Sequence, residues 1–185
     1  MKVIDANTLT LDGAEHYVKM TDRNRYRIAG ANNTVLLTVP LTHGREQRVA
    51  MNNVCIANDY RWQIQHWRTI VSAYNRSPFF SYYEPELARM YEEEYTHLTQ
   101  FCRATIEWTR KQLKLPFAIE ETTIWQPEYP ELTDLRHIRT YDAGPYTYYQ
   151  VFAERFGFIP GLSILDLLFS EGPHAAAWLR AARQQ

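Results

Sequence analysis

The sequence lacks most of what marks a familiar enzyme, and each absence narrows the field. Its two cysteines, Cys55 and Cys102, stand far apart without metal-ligand spacing, so no metal site is expected and both read as reduced core thiols. There is no surplus of positive charge: 20 Lys and Arg against 21 Asp and Glu leave a formal net charge of −1, which disfavours nucleic acid as a partner. No apolar run approaches the ~20 residues of a membrane helix. The longest candidate, Phe158 to Phe169, contains Pro160 and Asp166, so no membrane insertion is expected. Without a signal peptide, the chain reads as cytoplasmic. Phosphate-cradling glycine loops, the G-x-S-x-G elbow, HExxH and Cys/His clusters are all missing, and no cofactor is expected.

What is present is aromatic. Five Trp, eight Phe and thirteen Tyr make up 14 % of 185 residues, enough for one folded domain with amphipathic, hydrogen-bonding pockets. The densest chemistry lies in Lys19 to Pro40, KMTDRNRYRIAGANNTVLLTVP. If Arg23 to Ile28 is extended, a period of two sends Arg23, Arg25 and Arg27 to one face and Asn24, Tyr26 and Ile28 to the other. Gly30 to Asn33 supplies turn chemistry, and Val35 to Val39 completes a hairpin. Arginines alternating along a strand suit a solvated edge; they also suit a clamp for phosphate or carboxylate, because the guanidinium donates in a planar fork. Spacing alone does not choose.

Val3 to Leu11 alternates like a strand and His16 to Met20 reads as a second extended piece, so the first forty residues predict a small sheet of three or four strands. Thr42 to Asn53 reads as a loop. A helix is predicted from Tyr60 to about Asn75, capped by Asp59, with Trp62, His66, Ile70, Ala73 and Tyr74 on one face. His66 on that face reads either as a buried, hydrogen-bonded side chain or as a general base. The next helical stretch starts at Glu84-Pro85 and runs to Leu115-Pro116, as one helix or as two with a bend near Glu94. A short strand follows at Phe117 to Ile124, then irregular surface structure to Tyr146. The tail holds an LSILDLLF helix capped by Ser163 or Gly161, a Gly172-Pro173 stop and an alanine-rich last helix. The expected architecture is mixed α/β: a small N-terminal sheet packed against several helices, with the middle and C-terminal parts helix-rich.

Three blocks together resemble the WbqC-like family of bacterial proteins: HYVKMTDRNRYRIAGANNTVLLTVPL at 16–41, WQIQHWRTIVSAYNRSPFFSYYE at 62–84 and YYQVFAERFGFIPGLSILDLLFSEGP at 148–173. The resemblance implies a single domain over residues 1–185. The family usually opens with a further strand and a Pro/Tyr-rich segment, which this sequence is expected to lack. Several members lie in gene clusters for O-antigen or other surface polysaccharides, and an aminoacyl or glycyl transferase role has been suggested for them. The positions matching the family's recurrent polar residues are Lys19, Arg23, Asn24, Arg25, Trp62, His66, Tyr74, Gln150, Ser163 and Asp166.

Three readings follow, the last of them purely structural, with the polar positions as an internal network that locks helix to sheet, so that His66→Ala and Asp166→Ala lose stability before binding. In the first, a transferase of surface-glycan biosynthesis holds an anionic small molecule, such as a sugar nucleotide or activated amino acid, on Lys19, Arg23 and Arg25. Asn24, Trp62, Tyr74, Gln150 and Ser163 complete the binding set, and His66 acts as base with help from Asp166 or Gln150. In the second, the same arginine strand and aromatic cluster form a non-catalytic binding protein. The discriminator is spatial, since an enzyme of the first kind needs His66 beside Arg23 or Arg25. Oligomeric state stays open.

Overall fold

The computed structural model describes residues 3–42, 49–136 and 147–182. Its best-formed β element is the hairpin of β2 (Arg25–Gly30) and β3 (Asn33–Thr38), antiparallel with Arg25 opposite Thr38 and Gly30 opposite Asn33. The reversal uses Asn33 in the left-handed region, at φ 89°, a conformation that asparagine tolerates. Gly30 serves a different need: a Cβ there would meet Val35 Cγ2 at 2.6 Å.

The mixed α/β architecture with small sheets holds, but the expected single N-terminal sheet of three or four strands is corrected. β1 (Thr8–Asp12) does not join the hairpin but pairs in parallel with β4 (Ala118–Thr122), giving two separate two-stranded ladders. His16 to Met20 forms no strand; His16 makes one isolated bridge to Ala50. A parallel partner needs a long crossover, so the strand that pairs with β1 lies beyond the helices and leaves no local turn signal.

That crossover carries three helices, α1 (Trp62–Tyr74), α2 (Phe80–Glu92) and α3 (Leu98–Gln112). The buried residues of α1 are Trp62, His66, Ile70, Ala73 and Tyr74, the face that its spacing predicts. Asp59 is not its cap: Arg61 holds that position without a side-chain cap bond. The entry is fixed by Asn58, whose Oδ1 accepts from Trp62 Nε1 at 3.2 Å while its Nδ2 donates to the Tyr95 carbonyl at 2.9 Å. α2 starts at Phe80, so Pro85 lies inside it rather than at its first turn. The Phe79 amide donates to the Phe169 carbonyl at 2.9 Å, anchoring this start to the buried helix that holds Phe169. α2 and α3 are separate helices, the second opened by a capping box in which Gln100 Oε1 accepts from the His97 amide.

After the short α4 (Ala153–Phe156), α5 (Ile164–Glu171) runs through the middle of the molecule, buried from Leu165 to Ser170, and packs on α2, β2 and the final α6 (Ala175–Ala181). Gly172 ends it at φ 52°, where a Cβ would come within 2.5 Å of the Phe79 ring. Trp62, Tyr74, Phe80 and Phe169 are among the largest side chains of the core. The loop expected at Thr42 to Asn53 closes with a 3-10 turn at Met51–Asn53; its residues 43–48, like His137 to Tyr146 of the irregular stretch, lie outside the described residues. Among the described residues, no helix is long and apolar enough to cross a membrane.

Candidate functional site

The alternation of β2 gives it two chemically different faces. Arg23, Arg25 and Arg27 border a cleft of about 560 Å³ whose other walls come from β1, the 18–22 segment, α3 and Arg136. Arg23 is held by Glu15: its Nη2 lies 2.5 and 2.7 Å from the two carboxylate oxygens, and both side chains are largely buried. Arg136 is held by Asp12 at 2.9 Å and Asp134 at 2.6 Å and lies over the Tyr129 ring. Arg27 reaches Asp22 at 3.5 Å. Arg25 differs. Its Nε donates to the Thr21 carbonyl at 3.2 Å, and among the described residues no carboxylate pairs with its guanidinium. An unspent guanidinium fork in a cleft is the arrangement that takes a carboxylate or phosphate. Lys19 is half-buried next to this segment but does not line the cleft.

His66 lies on the other side of the strand. Its Nε2 is 3.2 Å from the Thr38 carbonyl, which can only accept, so Nε2 carries the proton and bare Nδ1 accepts from the Tyr26 hydroxyl at 3.0 Å. The Tyr91 hydroxyl, 2.7 Å away, then donates to the Tyr26 oxygen. Burial pushes the His66 pKa down to about 4, against a smaller opposing effect of the Thr38 carbonyl. Trp62 meets the imidazole edge-on at 5.2 Å between ring centres. Because Tyr26 and Arg25 are successive residues of a strand, their side chains point to opposite faces, and His66 follows Tyr26.

Asp166, fully buried, gathers a second network. Oδ1 accepts from the Tyr74 hydroxyl at 2.8 Å; Oδ2 accepts from the Tyr148 hydroxyl at 2.8 Å and from Gln150 Nε2 at 2.9 Å. Desolvation raises the Asp166 pKa while these three donors pull it back. Gln150 also donates to the Ile159 carbonyl and accepts from the Ile159 amide. The Tyr74 oxygen accepts from the Ala29 amide at 2.9 Å, and the Arg27 carbonyl accepts from the Ser163 amide at 2.7 Å. These two bonds satisfy backbone groups on the side of β2 that β3 does not cover. Asn24 is likewise engaged, donating to the Val39 carbonyl and accepting from the Tyr17 hydroxyl.

Nine of the ten residues thus fall into place around the hairpin, and Lys19 stands outside these groups. Arg23 and Arg25 share the cleft, Trp62 and His66 share the aromatic face of α1, and Tyr74, Gln150 and Asp166 share the buried carboxylate, with Asn24 and Ser163 bracing the hairpin. Sequence reading missed Arg136, Asp12 and Glu15, which build the cleft's ion pairs; Arg136 sits in irregular chain with no periodicity to flag it. Cys102 lines the same cleft, but burial pushes its thiol up to about 11, which leaves it unionised and unreactive near neutral pH. Among the described residues, no group of His, Cys, Asp and Glu is arranged to hold a metal ion.

Fold and site together define a mixed α/β protein with an arginine-lined cleft on one face of a hairpin and a tyrosine-rich polar interior on the other. The chain belongs to the WbqC-like protein family, which its residues 2–141 match. The third of the resembling blocks, at 148–173, lies beyond that match. The chain is also 27 % identical over 201 residues to the uncharacterized protein Rv1507c of Mycobacterium tuberculosis, an alignment covering 91 % of this chain and 85 % of the relative. No solved structure matches the chain significantly.

Proposed function

We propose that this protein binds a small anionic molecule on Arg25, in the cleft beside the hairpin, within the surface-polysaccharide biosynthesis that its family resemblance implies. The ligand class is a sugar nucleotide or an activated amino acid, each of which offers a phosphate or carboxylate to the guanidinium. The observation that carries this reading is the contrast within one cleft: Arg23, Arg27 and Arg136 each have a carboxylate partner, whereas Arg25 has none among the described residues. His66 stands on the opposite face of β2, its bare nitrogen is taken by the Tyr26 hydroxyl, and a pKa of about 4 makes it a weak proton acceptor, which favours binding over a transferase with His66 as base. A transferase at this site would draw its proton acceptor from the carboxylates that line the cleft, Asp12, Glu15, Asp22 and Glu121.

A thermal-shift screen against sugar nucleotides, aminoacyl phosphates, glycine and simple anions, with Arg25→Ala alongside, tests the proposal. A ligand at 100 times its Kd stabilises by about 2.7 kcal/mol. Stabilisation by such a ligand, lost in Arg25→Ala, is expected. A hit that the substitution leaves unchanged would move the site away from Arg25, and no hit at all would remove the anion reading.

A further inference from the structure

A second cavity, of about 420 Å³, lies against the first. Leu9, Asp22, Arg23, Arg25, Cys102 and Ile106 border both. Beyond that shared wall the second space changes character: its lining is dominated by Leu87, Met90, Phe101, Trp108, Phe117 and Leu165, all of them buried core residues. Interiors are normally filled to crystal-like density, because a void forfeits the dispersion contacts of every atom around it. A space of this size falls within the range of ligand pockets, which are mostly apolar with a few polar groups that set orientation. Here the polar groups include Asn24, Tyr26, Arg110 and Ser163, and Arg25 is the one at the junction of the apolar chamber and the charged cleft that has no carboxylate partner among the described residues.

We infer that the site accepts an amphipathic anion, a carboxylate or phosphate head on a hydrocarbon chain, with the head on Arg25 and the chain in the chamber behind it. This rests on the proposed role of Arg25 in anion binding and adds the substrate class. The two demands are met by separate walls. Among the described residues, the one carboxylate that lines the chamber is Asp22 at its rim, and the one guanidinium away from the shared wall is Arg110, whose Nη1 donates to the Phe117 carbonyl at 3.0 Å. An apolar chain without a charged head would leave the Arg25 fork unpaired, and a short anion would leave the chamber unfilled.

Binding of straight-chain alkyl carboxylates and alkyl phosphates of four to ten carbons, below their micelle concentrations, tests the inference by calorimetry on the full chain. Affinity should rise by about fourfold per methylene at full burial and level off once the chamber is full. Alkyl trimethylammonium ions of the same lengths should not bind. Whether the carboxylate or the phosphate series is tighter identifies the head group. Thr105→Phe and, as a second variant, Thr109→Phe place a ring in the chamber from half-buried positions of α3. Either should abolish the chain-length dependence while short anions still bind. Short and long anions binding alike to the unaltered chain would overturn the inference and leave Arg25 as an anion site; failure of both series would overturn the two together.

Discussion

The two faces of β2 are built from neighbouring residues yet obey different rules. On the inner face, Asn24 and Tyr26 meet His66, Tyr91 and Val39, and every hydrogen-bonding group described there has a defined role: the Tyr91, Tyr26 and His66 chain ends on the Thr38 carbonyl, and Asn24 is engaged at both ends. On the outer face, four arginines share a cleft and one is left without a carboxylate among the described residues. A buried polar network is worth keeping only when it is complete, since an unpaired group in low dielectric is costly. A solvated cleft can leave a cation unspent at little cost. The difference separates residues that hold the hairpin in place from a residue free to meet a ligand.

The largest test of that separation is Asp166→Ala. It removes the acceptor of Tyr74, Tyr148 and Gln150 in a fully buried position, leaving three donors unpaired at about 1–3 kcal/mol each before relaxation. A net loss of at least ~3 kcal/mol in denaturant unfolding is expected, with anion binding by the remaining folded fraction unchanged. Loss of binding with full stability would instead make Asp166 part of the site.

The next largest effect is a pH dependence. His66 is folded in its neutral form, with a pKa lowered from 6.5 to about 4, so the unfolded chain binds the extra proton between those values. Its contribution to stability is fully present above pH 6.5 and is lost as pH falls toward 4. The loss amounts to about 3 kcal/mol in all, because each tenfold change in proton affinity between the two states is worth about 1.4 kcal/mol. Urea unfolding at pH 7 and pH 4.5 should show the fall, and His66→Gln should flatten it. A pH profile of ligand binding with a midpoint near 4 would point the other way, toward a histidine coupled to the cleft.

How much of this was legible in the residues divides along the same line. The apolar face of α1, the hairpin and the alternation of its arginines could be read from periodicity, because they depend on neighbours three, four or two positions away. The pairing of β1 with β4 could not, since Thr8 meets Ala118 across the whole helical crossover. Local pattern also misplaced the start of α2: Pro85 reads as a first-turn proline, whereas the Phe79–Phe169 backbone bond starts the helix earlier. Within the candidate site, Arg23 and Arg25 are equivalent as letters, two arginines that the expected extension from Arg23 to Ile28 puts on one face, although β2 begins only at Arg25. Glu15, folded against Arg23 from a preceding irregular segment, gives Arg23 the carboxylate partner that Arg25 does not have among the described residues.

That distinction gives the smallest effect on stability and the most informative one. Arg23→Ala strips the partner from Glu15, which is 8 % exposed, and should cost on the order of 2 kcal/mol through the stranded carboxylate. Arg25→Ala removes one bond to the Thr21 carbonyl and a charge with no carboxylate partner among the described residues, so its unfolding free energy should stay within about 0.5 kcal/mol of the parent. In a ligand screen the order reverses. Arg25→Ala loses the anion-induced stabilisation outright, whereas Arg23→Lys, which keeps the charge beside Glu15, retains most of it. If the two positions instead lose stability and binding in equal measure, the cleft acts as one ion-pair network, and Arg25 has no separate claim to a ligand.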